Sequence, residues 1–315
     1  MTVTEVPTKA FPTCRAAAPF WLLLGGGLDQ DRITAELVGG FERVLGDRSA
    51  VVRTSDLVLG ICEGRLTLHD LHGTQLAAPE LAYARLSTPR LSTDREITLL
   101  RHLEAMGTVL LNPIDAVLAC VNKFWHLQQL AVAGLPVPDT RSYVDAPMTD
   151  VLRAGVPEPC VVKSVRGHRG RRVFLAPDTA MLHDVQGSLS DEAPYLFQKY
   201  VRYSHGRDLR VIVVDGRAVA AQVRVAAGDG LKSNLAQGGT ATPCTGLHPA
   251  GEALAVAAAE ALGLGVAGVD LLFEPDGSFT ICEVNANVGW REHLHQVVPA
   301  IAEACDARLR CPTAR

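Results

Sequence analysis

The stretch VAGVDLLFEPDGSFTICEVNAN, residues 266–287, decides how this chain is read. Two apolar runs, Val266–Phe273 and Ser278–Val284, flank Asp276-Gly277, a favoured pair for a two-residue hairpin turn. That turn sets Asp270 opposite Glu283 and Gly268 opposite Asn285. Glu283 and Asn285 are two apart and share one strand face. Like charges directly opposite each other destabilise a hairpin. Burying two unpaired carboxylates among Val269, Leu271, Leu272, Ile281, Cys282 and Val284 would be costly. A hard divalent cation removes the conflict, and magnesium commonly uses one or two carboxylates together with substrate phosphates. A solvated sheet face or arginine partners would also remove it, and spacing alone leaves these open; a bulge would break the register.

A second stretch complements the first. Cys160-Val161-Val162-Lys163 sets a lysine at the end of an apolar strand, and Ser164-Val165-Arg166-Gly167-His168-Arg169-Gly170-Arg171-Arg172 follows. Glycines such as Gly167 and Gly170 let backbone N–H groups approach phosphate oxygens, and the arginines add positive charge. A solvated basic loop is the plainer alternative. The P-loop pattern G-x-x-x-x-G-K-[ST] is absent.

Composition narrows the class. The 315 residues suffice for about two domains, and 48% apolar with 20% charged residues excludes a disordered or collagen-like chain. Lys and Arg number 30 against 34 Asp and Glu, a net charge of −4, which does not suggest a nucleic-acid binder. The eight cysteines include no C-x-x-C pair and read as free thiols of a cytoplasmic protein. The early apolar stretch Ala16–Leu28 is shorter than the roughly 20 residues that span a bilayer. It lacks a convincing cleavage site, so neither a membrane span nor a leader is expected. The lysines are only Lys9, Lys123, Lys163, Lys199 and Lys232 in a chain that prefers arginine. Where lysine persists, a compact ammonium is the feature arginine cannot supply.

Residues 1–15 read as a loose tail. From there to about residue 110, short strands (Phe20–Leu24, Val51–Val52, Leu57–Ile61, Leu66–Leu68, Val109–Leu111) alternate with helices (Ile33–Leu45, Glu96–Met106), an α/β pattern. Gly25-Gly26-Gly27 after the first strand is not G-x-G-x-x-G; it reads as a tight turn or as a loop lining a substrate site. Asn122 is placed to cap a helix over Lys123–Ala133 that ends at Gly134. Further strands are expected at Val173–Leu175 and Leu196–Tyr200, a helix over 178–189, a hairpin Leu209–Val214 with Ala218–Val225 around Asp215-Gly216, and a helix Glu252–Leu262.

The order of these features resembles the ATP-grasp superfamily, most closely its RimK-like branch of amino-acid ligases. The residues that carry the resemblance are Lys123, Val161-Val162-Lys163-Ser164, Gln198-Lys199-Tyr200, Gly206-Arg207-Asp208-Leu209-Arg210, Lys232-Ser233-Asn234 with Gly238-Gly239, Ala267-Gly268-Val269-Asp270 and Glu283-Val284-Asn285-Ala286-Asn287. All lysines but Lys9 fall in these segments. The resemblance implies an α/β ATP-grasp fold: an N-terminal α/β domain over 16–118, a mobile central lid over 119–195 and a C-terminal mixed-sheet domain over 196–315. It also implies roles. Lys123 and Lys163 would hold ATP phosphates, with Gly167 and Gly170 in the loop above them. Gln198, Lys199 and Tyr200 would line the adenine, and Asp208 the ribose. Asp270, Glu283 and Asn285 would hold one or two magnesium ions, with manganese as a substitute. Arg210 and Arg224 would meet the carboxylate substrate or its acyl phosphate, and Lys232 and Asn234 would lie near the phosphates. Two departures stand out: Lys199 replaces an acidic residue common beside the adenine, and the usual Asn-Ala-Ser-Pro-Gly ending reads Asn285-Ala286-Asn287-Val288-Gly289-Trp290.

The implied activity is an ATP- and magnesium-dependent carboxylate–amine ligase. Phosphoryl transfer would turn a poor electrophile into an acyl phosphate, which an amine then attacks. The implied partners are amino-acid or peptide substrates, glutamate among them, and a homo-oligomer is left open. A small-molecule kinase and a non-catalytic nucleotide-binding module are the competing classes; a nicotinamide enzyme rests only on the glycine run. No general base is identified: His205, His293 and His295 are candidates, each more simply a surface or structural histidine.

Overall fold

The computed structural model describes residues 18–25, 27, 31–86, 91, 93–166, 173–189, 194–228, 230–231 and 238–311. The expected tail, Gly26, Gly167, Gly170, Lys232 and Asn234 lie outside them. The chain forms two compact units, residues 1–111 with 305–315, and residues 112–304.

The first unit holds a parallel sheet in the order β2-β1-β6-β7, from β1 (Phe20–Leu24), β2 (Ser49–Arg53), β6 (Leu81–Arg85) and β7 (Val109–Leu110). Every residue of β1 is buried, as a central parallel strand requires. Helix α1 (Arg32–Leu45) buries Leu37, Val38, Phe41 and Leu45, a 3.6-period stripe, and starts where Asp31 accepts a bond from Thr34 N. Strands β3 (Leu57–Cys62), β4 (Arg65–Asp70) and β5 (Gln75–Leu76) make a separate antiparallel sheet, and α2 spans Thr98–Ala105. Gly25 ends β1 where a Cβ would lie 2.8 Å from Thr54 Oγ1 and 2.9 Å from Leu86 Cδ2. The turn after β1 therefore needs glycine for clearance. The strand β6 was not expected from sequence, although it pairs directly with β1.

The second unit opens with α3 (Ile114–Val121) and α4 (Lys123–Val132), then carries two antiparallel sheets. The smaller has the order β10-β9-β11-β8, from β8 (Thr140–Arg141), β9 (Cys160–Ser164), β10 (Val173–Ala176) and β11 (Tyr195–Lys199). Helices α5 (Met148–Arg153) and α6 (Thr179–Val185) pack on it through Leu152 and Leu182, against Cys160, Val162, Tyr195 and Phe197.

The larger sheet has the order β14-β13-β12-β15-β16: β12 (Arg207–Val214), β13 (Arg217–Val225), β14 (Thr240–Pro243), β15 (Val266–Phe273) and β16 (Phe279–Asn285). Leu209, Val211, Val213, Ala221, Ala267, Val269, Leu271 and Ile281 form one core with Ala255, Ala258 and Ala259 of α7 (Pro249–Ala261). Small alanines let that helix lie close to the sheet. By strand alternation, Asp208, Arg210, Gln222, Arg224 and Asp270 face the other way. The chain closes with α8, Val297–Arg310.

The decisive hairpin keeps its expected register at the site but not its expected turn. Phe273 pairs with Phe279, and Glu274 N bonds Ser278 O, so the connection is the three-residue Pro275-Asp276-Gly277, with Gly277 at φ 84°. A bulge then leaves Cys282 without a partner and restores Asp270 opposite Glu283 and Gly268 opposite Asn285. Asp215-Gly216, by contrast, is the expected two-residue turn, with both residues at positive φ. Among the described residues, no helix is long and apolar enough to cross a membrane, and every cysteine is free.

Candidate active site

Strand pairing builds one polar row across the larger sheet. Gln222 faces Arg210, Arg210 faces Asp270, and Asp270 faces Glu283. One step toward the open end of β12, Asp208 faces Arg224. Arg210 Nη1 donates to Asp270 Oδ1 at 2.7 Å, and Arg224 Nη2 reaches the same oxygen at 2.9 Å. Arg224 also grips Asp208 with two bonds, Nε to Oδ1 at 2.8 Å and Nη2 to Oδ2. Asp208, Arg210 and Asp270 are all buried. Burial opposes the Arg224 cation, but Asp270 and Asp208 beside it outweigh that and push its pKa further up. The arginine partners left open by the spacing argument are thus present.

Lys123 enters from α4, whose N-terminus is capped by Asn122, accepting from Phe124 N and Trp125 N. Lys123 N also bonds Val165 O at 2.8 Å, tying the start of α4 to the end of β9. Its Nζ lies 2.9 Å from Glu283 Oε1. Burial alone would raise the Glu283 carboxyl, but the Lys123 and Lys163 ammonium groups overcome it and hold its pKa at about 2. Lys163, buried on β9, points its Nζ to 3.8 Å from Cys282 Sγ, the bulge residue. Burial raises the Cys282 thiol despite Lys163, so it stays protonated.

The donor set suits a hard cation. Asp270 Oδ1 is tied by arginines, Glu283 Oε1 by Lys123, and Asn285 Nδ2 lies 3.5 Å from Gly268 O. Each side chain keeps one oxygen with no hydrogen bond among the described residues: Asp270 Oδ2, Glu283 Oε2 and Asn285 Oδ1. Two carboxylates and an amide cannot fill an octahedral shell, and no cluster of three His, Cys, Asp or Glu that could hold a metal occurs among the described residues. That incomplete set fits a magnesium ion shared with phosphates.

Gln198 is buried and donates to Thr140 Oγ1 at 3.0 Å. Lys199 is exposed, 3.9 Å from Asp139, and its N–H bonds Asp139 O. Tyr200 N bonds Pro159 O, and its hydroxyl meets His205 Nδ1. A cavity of ≈ 350 Å³ runs beside Lys199, Tyr200 and Val201, bounded by Pro138, Glu274 and Thr280.

Sequence reasoning missed His126. It lies three residues after Lys123, on the same helix face, and is fully buried with neither ring nitrogen hydrogen-bonded. Burial, with Lys123 and Lys163 adding to it against Glu283, lowers its pKa to about 3. The folded state therefore refuses a proton that the unfolded state accepts below the ordinary value of 6.5. Stability should be intact above that value and fall as pH drops toward 3, by up to about 1.4 kcal/mol per pH unit. Urea unfolding at pH 6.5 and 5.0 should show wild type losing about 2 kcal/mol more than His126→Leu. Equal losses would contradict the buried neutral histidine.

Two sheets that meet over lysines, arginines and a carboxylate–amide set define an ATP-grasp enzyme, an ADP-forming ligase that joins carbon to nitrogen and uses ATP with magnesium. A model of the RimK-like ATP-grasp domain matches residues 120–303, and the chain belongs to that family. It is 44% identical over 285 residues to human beta-citrylglutamate synthase B, covering 87% of this chain and 72% of that protein. Against mouse N-acetylaspartylglutamate synthase A it is 38% identical over 279 residues, covering 87% and 73%. The structure of the ATP-grasp ligase PsnB with a phosphomimetic variant of its minimal precursor, Mg and ADP superposes with a TM-score of 0.67 at 22% identity, over 93% of this chain and 99% of that one, and shows the shared fold.

Proposed function

We propose that the enzyme condenses the carboxylate of a small polycarboxylic acid with the α-amine of glutamate, through an acyl phosphate formed from ATP. The observation that carries this is the charge of the polar row. Four cations, Lys123, Lys163, Arg210 and Arg224, stand among three carboxylates, Asp208, Asp270 and Glu283. The surplus is positive before any metal enters, which suits ATP and acidic substrates together. Relatives at 44% and 38% identity bear the names of two glutamate-containing products.

The residues divide the work. Lys123 and Lys163 hold the triphosphate, and the strand Gln198-Lys199-Tyr200 flanks the adenine beside the cavity. Asp270, Glu283 and Asn285 would hold one or two magnesium ions, which would supply positive charge against the phosphates; manganese would substitute. Arg210 meets the reacting carboxylate. Asp208 would bind the ribose, and its two oxygens, which engage Arg224, hold that arginine beside Arg210 for the same carboxylate. Gly167, Gly170, Lys232 and Asn234 would bind the phosphates. Residues 119–195, with the smaller sheet, act as a lid that keeps water from the acyl phosphate, and residues 16–118 take part in acid binding. The free cysteines and the dependence on ATP favour the cytoplasm.

The test supplies ATP, magnesium and glutamate with citrate, N-acetylaspartate and other di- and tricarboxylic acids, singly and in pairs. Phosphate release should require a pair, with a product mass equal to both substrates minus water. A stable phosphorylated acid formed without an amine would overturn the ligase in favour of a kinase. Release with other amines but never with glutamate would overturn the acceptor.

A further inference from the structure

His293 stands at the end of the polar row opposite Glu283. It lies on the loop that leaves β16, and its Nε2 is 2.9 Å from Gln222 Oε1. Gln222 is 2% exposed and pairs with Arg210, so the row continues from Glu283 through Asp270, Arg210 and Gln222 to an imidazole. An amide oxygen only accepts. With Gln222 Oε1 turned toward the ring, a neutral imidazole carries its hydrogen on Nε2 and keeps the lone pair on Nδ1. The His293 side chain is exposed, and Nδ1 has no hydrogen bond among the described residues.

We propose that Nδ1 of His293 accepts the proton from the incoming amine, an assignment that rests on the ligase reading above. At neutral pH an amino-acid amine is an ammonium with no lone pair to attack with. A base must remove one proton before the carbon–nitrogen bond can form. The nitrogen then gives its pair to the acyl carbon, and the carbon–oxygen bond to phosphate breaks with its electrons staying on oxygen. The second nitrogen proton goes to the departing phosphate, which leaves as hydrogen phosphate. His293 returns its proton to solvent.

Elimination supports the assignment. Asp208 and Asp270 accept from arginines, and Glu283 is held by Lys123. His126 is sealed from solvent. His205 is engaged by the Tyr200 hydroxyl. A neutral imidazole suits a general base, because one ring nitrogen accepts a proton while the other stays hydrogen-bonded. The charged groups next to Gln222, which His293 meets, are Arg210 opposite it and Arg224 two residues along β13, each paired to a carboxylate. Beside them β14 presents only Pro243 and Ala241, and the loop itself adds Arg291, Glu292 and His295.

The experiment compares two nucleophiles on the wild type, His293→Gln and, as a control, His295→Gln. Hydroxylamine is neutral at pH 7 and needs no base, so it intercepts the acyl phosphate as a hydroxamate. Glutamate needs one. His293→Gln should keep hydroxamate formation within twofold while amide formation falls about 10²- to 10⁴-fold. The deficit should shrink as pH rises from 7 to 9.5 and the amine deprotonates unaided. His295→Gln should match wild type with both nucleophiles. Equal loss with both, or no loss with glutamate, overturns the role of His293. Hydroxamate formation is its own check that the variant folds. A wild type that makes no hydroxamate from any acid overturns the ligase reading and this assignment with it, and the silent wild type tells the two failures apart.

Discussion

Asp270→Asn should slow magnesium-dependent ATP turnover about 10²- to 10³-fold and destabilise the protein by about 3–5 kcal/mol, because one substitution removes two functions. Asp270 Oδ1 accepts from Arg210 Nη1 and Arg224 Nη2, and the side chain is 12% exposed. The group of two arginines and two aspartates is neutral. Asparagine leaves one buried guanidinium charge without a counter-ion and offers an NH₂ where an acceptor is needed. The same change removes a carboxylate oxygen from the metal set. Loss of one charge-stabilising group in such a site typically costs about 10²- to 10³-fold in rate. Urea unfolding reads the first effect, and magnesium titration in the presence of a non-hydrolysable nucleotide reads the second. Arg224→Met separates them: it breaks the arginine network but leaves the Asp270 carboxylate, so magnesium affinity should fall far less than in Asp270→Asn. If Asp270→Asn binds magnesium–nucleotide as wild type does, Asp270 is not a ligand.

The facing of Asp270 and Glu283 was expected from local rules, two apolar runs and an Asp-Gly turn, but those rules are not what sets it. The agreement involved two deviations that cancel. The connection has three residues instead of two, and the Cys282 bulge takes back the extra step. Nothing local marks a bulge at Ile281-Cys282-Glu283. Its structural effect is to turn both Cys282 and Glu283 away from the α7 core, toward Lys163 and Lys123. The bonding of Arg210 and Arg224 to Asp270 was open but undecided, because it depends on β12 lying between β13 and β15. No turn or spacing encodes that long-range pairing. The strand β6 escaped for a similar reason. LAYAR is short, follows Pro79, and ends in an arginine whose burial makes sense only once Asp31 is found 3.1 Å away. His126 could have been found, since an i, i+3 partner of Lys123 shares its face. The loop carrying Gly167 and Gly170, and Lys232 with Asn234, lie outside the described residues.

Gly268→Ala should cost about 1–3 kcal/mol and roughly 10²-fold in rate, a large effect for one methyl group. The backbone at Gly268 does not demand glycine, for it is not among the positive-φ positions. The constraint is space. Gly268 sits on β15 between Ile212 and Asn285, and a Cβ there would lie 2.4 Å from Arg210 Nη2, 2.6 Å from Cζ and 2.9 Å from Nε. Elsewhere a long side chain would swing aside. Here Arg210 is 7% exposed and held 2.7 Å from Asp270, and its Nε already has no hydrogen-bond partner among the described residues. Moving it breaks the bond that fixes Asp270 and shifts this proposed metal ligand against Glu283. If clearance is the cause, the penalty must vanish when the obstructing group is removed. Adding Gly268→Ala to an Arg210→Ala background should then cost less than about 0.5 kcal/mol, a strong coupling in a double-mutant cycle. Additive penalties would mean that Gly268 is needed for some reason other than the arginine that lies over it. A glycine two residues before a metal ligand would then have to be explained by the ligand-bound state rather than by this contact.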